Sequence, residues 1–292
     1  MITGDKSFGP GNARYELQRA HVEELKAVYW GRGSAGVPDA SGFDIVTSQD
    51  PFLRGLAALR AARRAKAKLN IQVHADLKGQ SWWKRLIARY VLRRADSIRV
   101  VSQRAANSLE SMRLRATITV LSVFVDSEAF RKIVPVPHEG KIILWIGRFE
   151  REKDPLGAIE IYKGVRAAGI DAKLVMLGKG SLEKSLRAEA EGLPVDFPGW
   201  VDPKPYLAQA DVVLCTSRHE SWGASIVEAL AAGVPVVAPD VGIAREAGAT
   251  VVPRSDLAKA VAEVVRSGTR GALAFPLLSP QEYAAAFAAS LS

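Results

Sequence analysis

The stretch DVVLCTSRHESWGASIVEALAAGVPVVAP, residues 211 to 239, contains one complete structural unit. A Val/Leu run leads into a polar loop, then an apolar segment of helical spacing, an Ala-Gly turn, and a second Val-rich run. Strand, loop, helix and strand in about 30 residues are the makings of a βαβ crossover between parallel strands. Neither apolar run alternates with polar residues, as expected of strands covered on both faces.

The same alternation extends in both directions. Upstream, KIILWIG (141–147), AKLVMLG (172–178) and VDFPGW (195–200) read as strands, with helices expected over 155–168 and 181–191. Downstream, TVV (250–252) is a strand, followed by a helix over 256–266 and a closing helix in SPQEYAAAFAASL that begins at Ser279 or Pro280. The front half repeats the pattern in MIT, LKAVYW, FDIVTS, LNIQVH, SIRVVS and TITVLSV, with helices near 52–67, 82–94 and 103–111. Between the halves, RKIVPVPHEG (131–140) gathers two prolines and a glycine where the pattern breaks, marking a linker. The expectation is α/β, with two Rossmann-like parallel-sheet domains spanning residues 1–134 and 135–292.

A chain of 292 residues with 48% hydrophobic content supports two cores. No apolar run reaches the ~18 residues needed to cross a bilayer, and the polar N-terminus lacks the features of a secretory signal, so a cytoplasmic location is expected. The single cysteine, Cys215, lies in an apolar run and is expected to pack in a strand, with no disulfide and no thiolate metal site. The formal charge of +9 is uneven: residues 1–138 hold 23 Lys and Arg against 12 Asp and Glu, and the remainder 17 against 19. The front-half charge concentrates in RGLAALRAARRAKAK (54–68) and WWKRLIARYVLRRADSIR (82–99). These are solvated helix faces, or surfaces for an anionic membrane or nucleic acid. The front half lacks a nucleic-acid recognition motif, and Trp82 and Trp83 are paired at a helix start instead of being spaced for base stacking, which favours the membrane and argues against nucleic acid.

Parallel sheets bind ligands beyond the carboxyl ends of their strands, so the loops there hold the candidate residues. Two glutamates, Glu220 and Glu228, bracket the helix start in residues 218–239, with Gly223 and Ala224 between them. Ser225 and Glu228 also spell a capping box, which would give Glu228 a purely local task. Arg148 and Lys153 share the loop IGRFEREKDP, suited to a diphosphate unless Glu150, Glu152 and Asp154 neutralise them. Gly178 and Gly180 form a tight turn in LGKGSL. Asp50 and Asp76 are strand-exit carboxylates suited to orienting a hydroxyl or to capping helices.

GRFEREK followed some seventy residues later by HESWGASIVEALAAGVPVVAPDVG resembles the nucleotide-sugar-dependent glycosyltransferases of the GT-B fold, retaining family 4. The pattern is G-R-x4-K and then E-x7-E-A-x-A-x-G-x-P-V-V, matched well over residues 141–267. The resemblance implies two Rossmann-like domains facing a central cleft, the first binding the acceptor and the second the donor. It implies that Arg148 and Lys153 hold the donor pyrophosphate, that Glu228 binds the ribose hydroxyls, and that Glu220 faces the donor sugar. Backbone N–H groups from Gly223, Ala224 and Ser225 meet the phosphates, a placement that the positive end of a helix dipole also favours. His74, at the exit of IQVH, falls where the family has a histidine near the transferred sugar. Gly9 and Gly11 fall where it carries a glycine-rich loop under the phosphates, though GPG departs from the usual adjacent pair. Ser221 and Trp222 replace the commoner Gly-Phe, the ring being expected to pack.

The expected function is metal-independent retaining transfer of a sugar from a UDP- or GDP-sugar to a glycan or lipid-linked acceptor. No cofactor beyond that substrate is expected, and an anionic membrane surface is a possible partner. The competing readings are a basic membrane- or nucleic-acid-binding protein on the same scaffold, and a nucleotide-sugar epimerase.

Overall fold

The computed structural model describes every residue except Arg32, Ala75, Asp76 and Lys78. The chain divides into two compact units, one of 1–124 with 278–292, the other of 125–277. Each holds one six-stranded sheet in which every pairing is parallel.

In the first unit the strands are β1 (Ile2–Thr3), β2 (Val28–Tyr29), β3 (Ile45–Ser48), β4 (Lys68–Val73), β5 (Ser97–Val100) and β6 (Thr117–Val120), in spatial order β2-β1-β3-β4-β5-β6. Its helices α1 (Ala13–Arg19), α2 (Leu53–Ala65), α3 (Trp82–Leu92) and α4 (Gln103–Leu109) follow β1, β3, β4 and β5. Val46, Leu69, Ile71 and Ile98 from the strands pack on Ala58, Leu59, Ala88 and Val91 from α2 and α3. Small alanines on α2 let the helix lie close on the sheet. α1 is an element that the glycine-rich start of the sequence hides; Asn12 caps it by accepting from the N–H groups of Arg14 and Tyr15.

The second unit opens with α5 (Ser127–Arg131) and contains β7 (Lys141–Ile146), α6 (Pro155–Ala167), β8 (Ala172–Leu177), α7 (Glu183–Glu189), β9 (Val195–Gly199), α8 (Lys204–Leu207), β10 (Val212–Leu214), α9 (Ala224–Ala231), β11 (Val236–Ala238), α10 (Ala244–Ala247), β12 (Thr250–Val251) and α11 (Leu257–Ser267). The spatial order is β12-β11-β10-β7-β8-β9. Trp145, Phe149, Tyr162, Leu174 and Val261 are among the buried residues of its core. Cys215 is buried just past β10, where burial pushes its thiol pKa up.

Two boundaries differ from the sequence expectation. The division falls at Phe124/Val125, ten residues before 134/135, because α5 buries Phe130 in the second unit, where Lys204 lies over its ring. The closing helix α12 (Pro280–Ala289) belongs to the first unit and not to the second. Its stripe of Tyr283 and Phe287, continued by Leu291, packs against Leu121, Phe124 and Leu17, each such burial contributing about 1.5–3 kcal/mol. Hydrogen bonds reinforce the placement: Asn70 Nδ2 donates to the Ser290 carbonyl at 2.8 Å and Ser97 Oγ to the Leu291 carbonyl at 3.0 Å.

Candidate functional site

The order of the second sheet turns between β7 and β10: the chain runs from β7 to β8 and β9 on one side, then returns to lay β10, β11 and β12 on the other. Loops leaving strands on either side of such a turn diverge and leave a crevice. The loop after β7 carries Arg148 and Lys153, and the loop after β10 carries Glu220. Lys153 Nζ donates to Glu220 Oε1, joining residues 67 apart in sequence. Ser217 Oγ donates to the same oxygen at 2.7 Å, and only 10% of the Glu220 side chain is exposed.

Side chains absent from the sequence reading hold these loops together. Trp145, inside β7, donates its indole N–H to Thr216 Oγ1 at 2.9 Å. The Thr216 hydroxyl donates to the carbonyls of Lys153 and Asp154 at 3.0 and 2.9 Å, and Arg254 Nη1 donates to the Thr216 carbonyl at 2.8 Å. Asp154, with φ of 50°, turns the chain into α6 and pairs with Arg254 and with Arg218. A buried indole in an aliphatic strand was the available signal, since it requires an acceptor nearby.

The three acids that could neutralise Arg148 and Lys153 divide among different partners. Glu152 pairs with Arg148 at 2.7 Å on the surface, while Asp154 serves Arg254 and Arg218. Glu150 accepts from the Ser181 N–H and Oγ at 2.9 and 2.6 Å, bonds that hold its carboxyl pKa below the ordinary value. Gly178 and Gly180 serve loop packing: a Cβ at Gly178 would stand 1.9 Å from the Gly147 carbonyl oxygen, and one at Gly180 2.5 Å from that of Phe149. The Gly178 N–H is taken by the Gly199 carbonyl.

The capping box at Ser225 and Glu228 does not form. Gly223 is the N-cap of α9, in the left-handed region with φ of 104°, and no side chain among the described residues caps the helix. A glycine that tolerates this conformation starts the helix two residues before Ser225, so Ser225 sits inside the first turn and Glu228 is the fifth helical residue. The N–H groups of Ala224 and Ser225 have no hydrogen-bond partner among the described residues. The Glu228 side chain is half-buried and likewise makes no hydrogen bond or ion pair among them; burial raises its pKa despite Lys204, with Asp202 adding to the rise. Trp222 is buried, its carbonyl accepting from the Ile243 N–H at 3.0 Å.

In the first unit, His74 follows β4 and ends a run of polar residues at alternate positions, Asn70, Gln72 and His74, on one face of a buried strand. Thr47 Oγ1 donates to Asn70 Oδ1 at 2.7 Å, Gln72 Nε2 donates to Thr47 Oγ1 at 3.0 Å, and Arg99 Nη1 donates to Gln72 Oε1 at 3.2 Å. Gln72 Oε1 therefore acts as an acceptor, so His74 Nε2, 3.1 Å away, carries the proton. Burial, then the Arg99 and Arg14 cations, pull the His74 pKa down to about 3. The imidazole is neutral at physiological pH. Gly9 and Gly11 lie in the turn before α1 with open space where a Cβ would stand, and the Gly11 N–H is donated to Glu16 at 2.9 Å. Asp50 is taken up locally, accepting from the Phe52 N–H at 2.9 Å and pairing with Arg54. Asp76 lies outside the described residues.

Sequence comparison matches both units. Residues 24–129 match the family described as Glycosyltransferase Family 4, and residues 140–267 match Glycosyl transferases group 1. The chain belongs to glycosyltransferase family 4. This family 4 chain is 37% identical over 100 residues to a GDP-mannose-dependent alpha-(1-6)-phosphatidylinositol dimannoside mannosyltransferase of Mycobacterium tuberculosis, covering 33% of this chain and 26% of that one. It is 32% identical over 177 residues to a 2-deoxystreptamine glucosyltransferase of Streptomyces kanamyceticus, covering 53% and 46%. The matched segments thus span between a quarter and a half of these relatives. Anabaena HepE, solved in complex with UDP and glucose, superposes with a TM-score of 0.73 over 99% of this chain and 94% of that one at 16% identity, which establishes the GT-B fold.

Among the described residues of this family 4 chain, no three His, Cys, Asp or Glu side chains are grouped to hold a metal ion. No helix among them is long and apolar enough to cross a membrane.

Proposed function

We propose that the protein is a retaining glycosyltransferase that moves a sugar from a UDP- or GDP-sugar to a glycan or lipid-linked acceptor. The observation that carries this reading is the Lys153–Glu220 pair at the turn of the second sheet, followed at once in the chain by a helix start with unpartnered N–H groups. Cleaving the bond between the anomeric carbon and the diphosphate places extra negative charge on the leaving group and positive character on the sugar. Preplaced cations and dipoles lower that barrier more than any other arrangement in a dry site. Arg148, Lys153 and the N–H groups of Gly223, Ala224 and Ser225 meet the diphosphate, so no metal is assigned to it. Glu228 accepts the ribose hydroxyls; its lack of a protein partner fits that task. Glu220 bears on the sugar and, through Lys153, on the phosphate beside it. In the retaining step the acceptor oxygen bonds the anomeric carbon on the face the diphosphate leaves, and a leaving phosphate oxygen takes the acceptor proton.

The first unit takes the acceptor, and neutral His74 with the open turn at Gly9 and Gly11 are the residues assigned to it. The test is release of UDP or GDP from UDP-glucose or GDP-mannose. Lys153→Ala and Glu228→Ala are expected to lose it while keeping the native circular dichroism spectrum; wild-type release in either variant overturns the site.

A membrane surface is the second partner. On α3, Trp82, Trp83, Leu86 and Tyr90 are exposed by 69%, 42%, 58% and 44%, beside Lys84, Arg85 and Arg89. Exposed indoles among cations fit the headgroup region of an anionic bilayer.

A further inference from the structure

A small pocket open to solvent lies among the residues that follow β1, β3 and β4, where the order of the first sheet turns between β1 and β3. Its lining includes Arg14 and Gln18 from α1, Gln72 and His74, Arg99 from β5, and Tyr283 from α12.

Two polar groups in this wall are left unbalanced by the protein. Arg99 is 1% exposed, and its guanidinium donates to the carbonyls of Leu121 and Ser122 at 3.1 and 2.6 Å, to Gln72 Oε1 at 3.2 Å and to the Tyr283 hydroxyl at 2.6 Å. Every one of these acceptors is neutral, and no carboxylate among the described residues pairs with it. A buried cation without an anion is costly, and a fold kept only for stability would fill the place with an apolar side chain. Gln18 is 7% exposed, and its Oε1 has no hydrogen-bond partner among the described residues. An acceptor left unmade in a buried wall is costly as well and calls for a donor from the cavity side. Arg14, more than half exposed, adds a second cation that Asp5 offsets at 2.8 Å. The cavity is therefore positive, with one neutral acceptor waiting for a hydroxyl.

We propose that this cavity holds the acceptor and that the acceptor is an anionic polyol, its phosphate or carboxylate facing Arg99 and Arg14 and a hydroxyl donating to Gln18 Oε1. The inference rests on the reading that the first unit takes the acceptor. It assigns to that unit a substrate class the family pattern leaves open.

The probes are sn-glycerol 3-phosphate, D-glycerate, glycerophosphoglycerol and glycerol, each titrated calorimetrically into the full chain, with UDP and GDP titrated into the same preparations. The anionic probes are expected to bind and glycerol to bind at least about tenfold more weakly. Preference for glycerophosphoglycerol identifies a lipid headgroup, and preference for glycerol 3-phosphate a free phosphorylated polyol. Gln18→Leu and Arg99→Gln are expected to weaken the anionic probes about tenfold or more while leaving UDP and GDP binding unchanged. Gln18→Leu carries the test if Arg99→Gln does not fold. Equal binding of glycerol, no binding of any anion, or anion affinity that survives both substitutions overturns the inference. Nucleotide binding without anion binding sinks this inference alone; anion binding without nucleotide binding sinks the donor assignment and leaves the cavity standing.

Discussion

Lys153 and Glu220 form an ion pair between the two loops that flank the turn of the second sheet, and Ser217 adds a hydrogen bond to the same carboxylate oxygen. The cation assigned to the diphosphate is thus held by the carboxylate assigned to the sugar. Glu220→Gln frees Lys153, so affinity for UDP or GDP alone is expected to rise by up to about tenfold while transfer from the intact sugar nucleotide falls. Calorimetric titration beside an assay of nucleotide release checks both; loss of nucleotide affinity in this variant contradicts the assignment.

Glu228 makes no cap, so removing it carries no capping penalty. Were the capping box real, Glu228→Ala would cost ~0.5–2 kcal/mol. Burial raises the folded-state pKa of Glu228 above its ordinary 4.5, so its favourable contribution is complete below pH 4.5 and lost as pH rises through the raised value. Glu228→Gln is therefore expected to melt at or above the wild-type temperature at neutral pH, the two curves converging in acid. Calorimetric melting across pH gives the answer, and a lower melting point at pH 7 contradicts it.

His74 titrates with the opposite sign. Its folded pKa is about 3 against an ordinary 6.5, so the stability it contributes is complete above pH 6.5 and is lost as pH falls from 6.5 toward 3. His74→Asn is expected to lose less stability over that window than the wild type in urea unfolding at stepped pH. Parallel curves would show that the folded imidazole takes up its proton as readily as the unfolded one.

The exposed ring face of α3 predicts sedimentation with vesicles containing anionic lipid, weakened by high salt as charges are screened. Leu86→Ser and Trp82→Ser are expected to reduce binding without altering nucleotide affinity. Binding unaffected by both rules out this face.

Much of the fold is legible because periodicity is local: residues 211–239 spell their own strand, helix and strand. Partnership is not local. Three segments read S-x-x-E, Ser217 to Glu220, Ser225 to Glu228 and Ser279 to Glu282, and only the last forms the capping box, with Pro280 in the first helical turn; at Ser225 the left-handed Gly223 starts the helix early. The stripe of Tyr283, Phe287 and Leu291 announces a packed helix without saying which sheet it covers, and it covers the one built from the other end of the chain. Lys153 and Glu220 stand out in the sequence as candidate residues, but their pairing depends on two strands being neighbours, as does the bond from Trp145 to Thr216. Arg99 inside SIRVVS was visible as a charge in a strand, yet its lack of an anion belongs to three dimensions.

The central claim is that the crevice between β7 and β10 binds a nucleoside diphosphate through Lys153 and its neighbours. Thermal unfolding with UDP, GDP and their sugar conjugates tests it most directly, in the wild type and in Lys153→Ala. A nucleotide at a hundred times its dissociation constant is expected to add about 2.7 kcal/mol to the wild type and far less to the variant. Equal stabilisation of both proteins, or of neither, contradicts it.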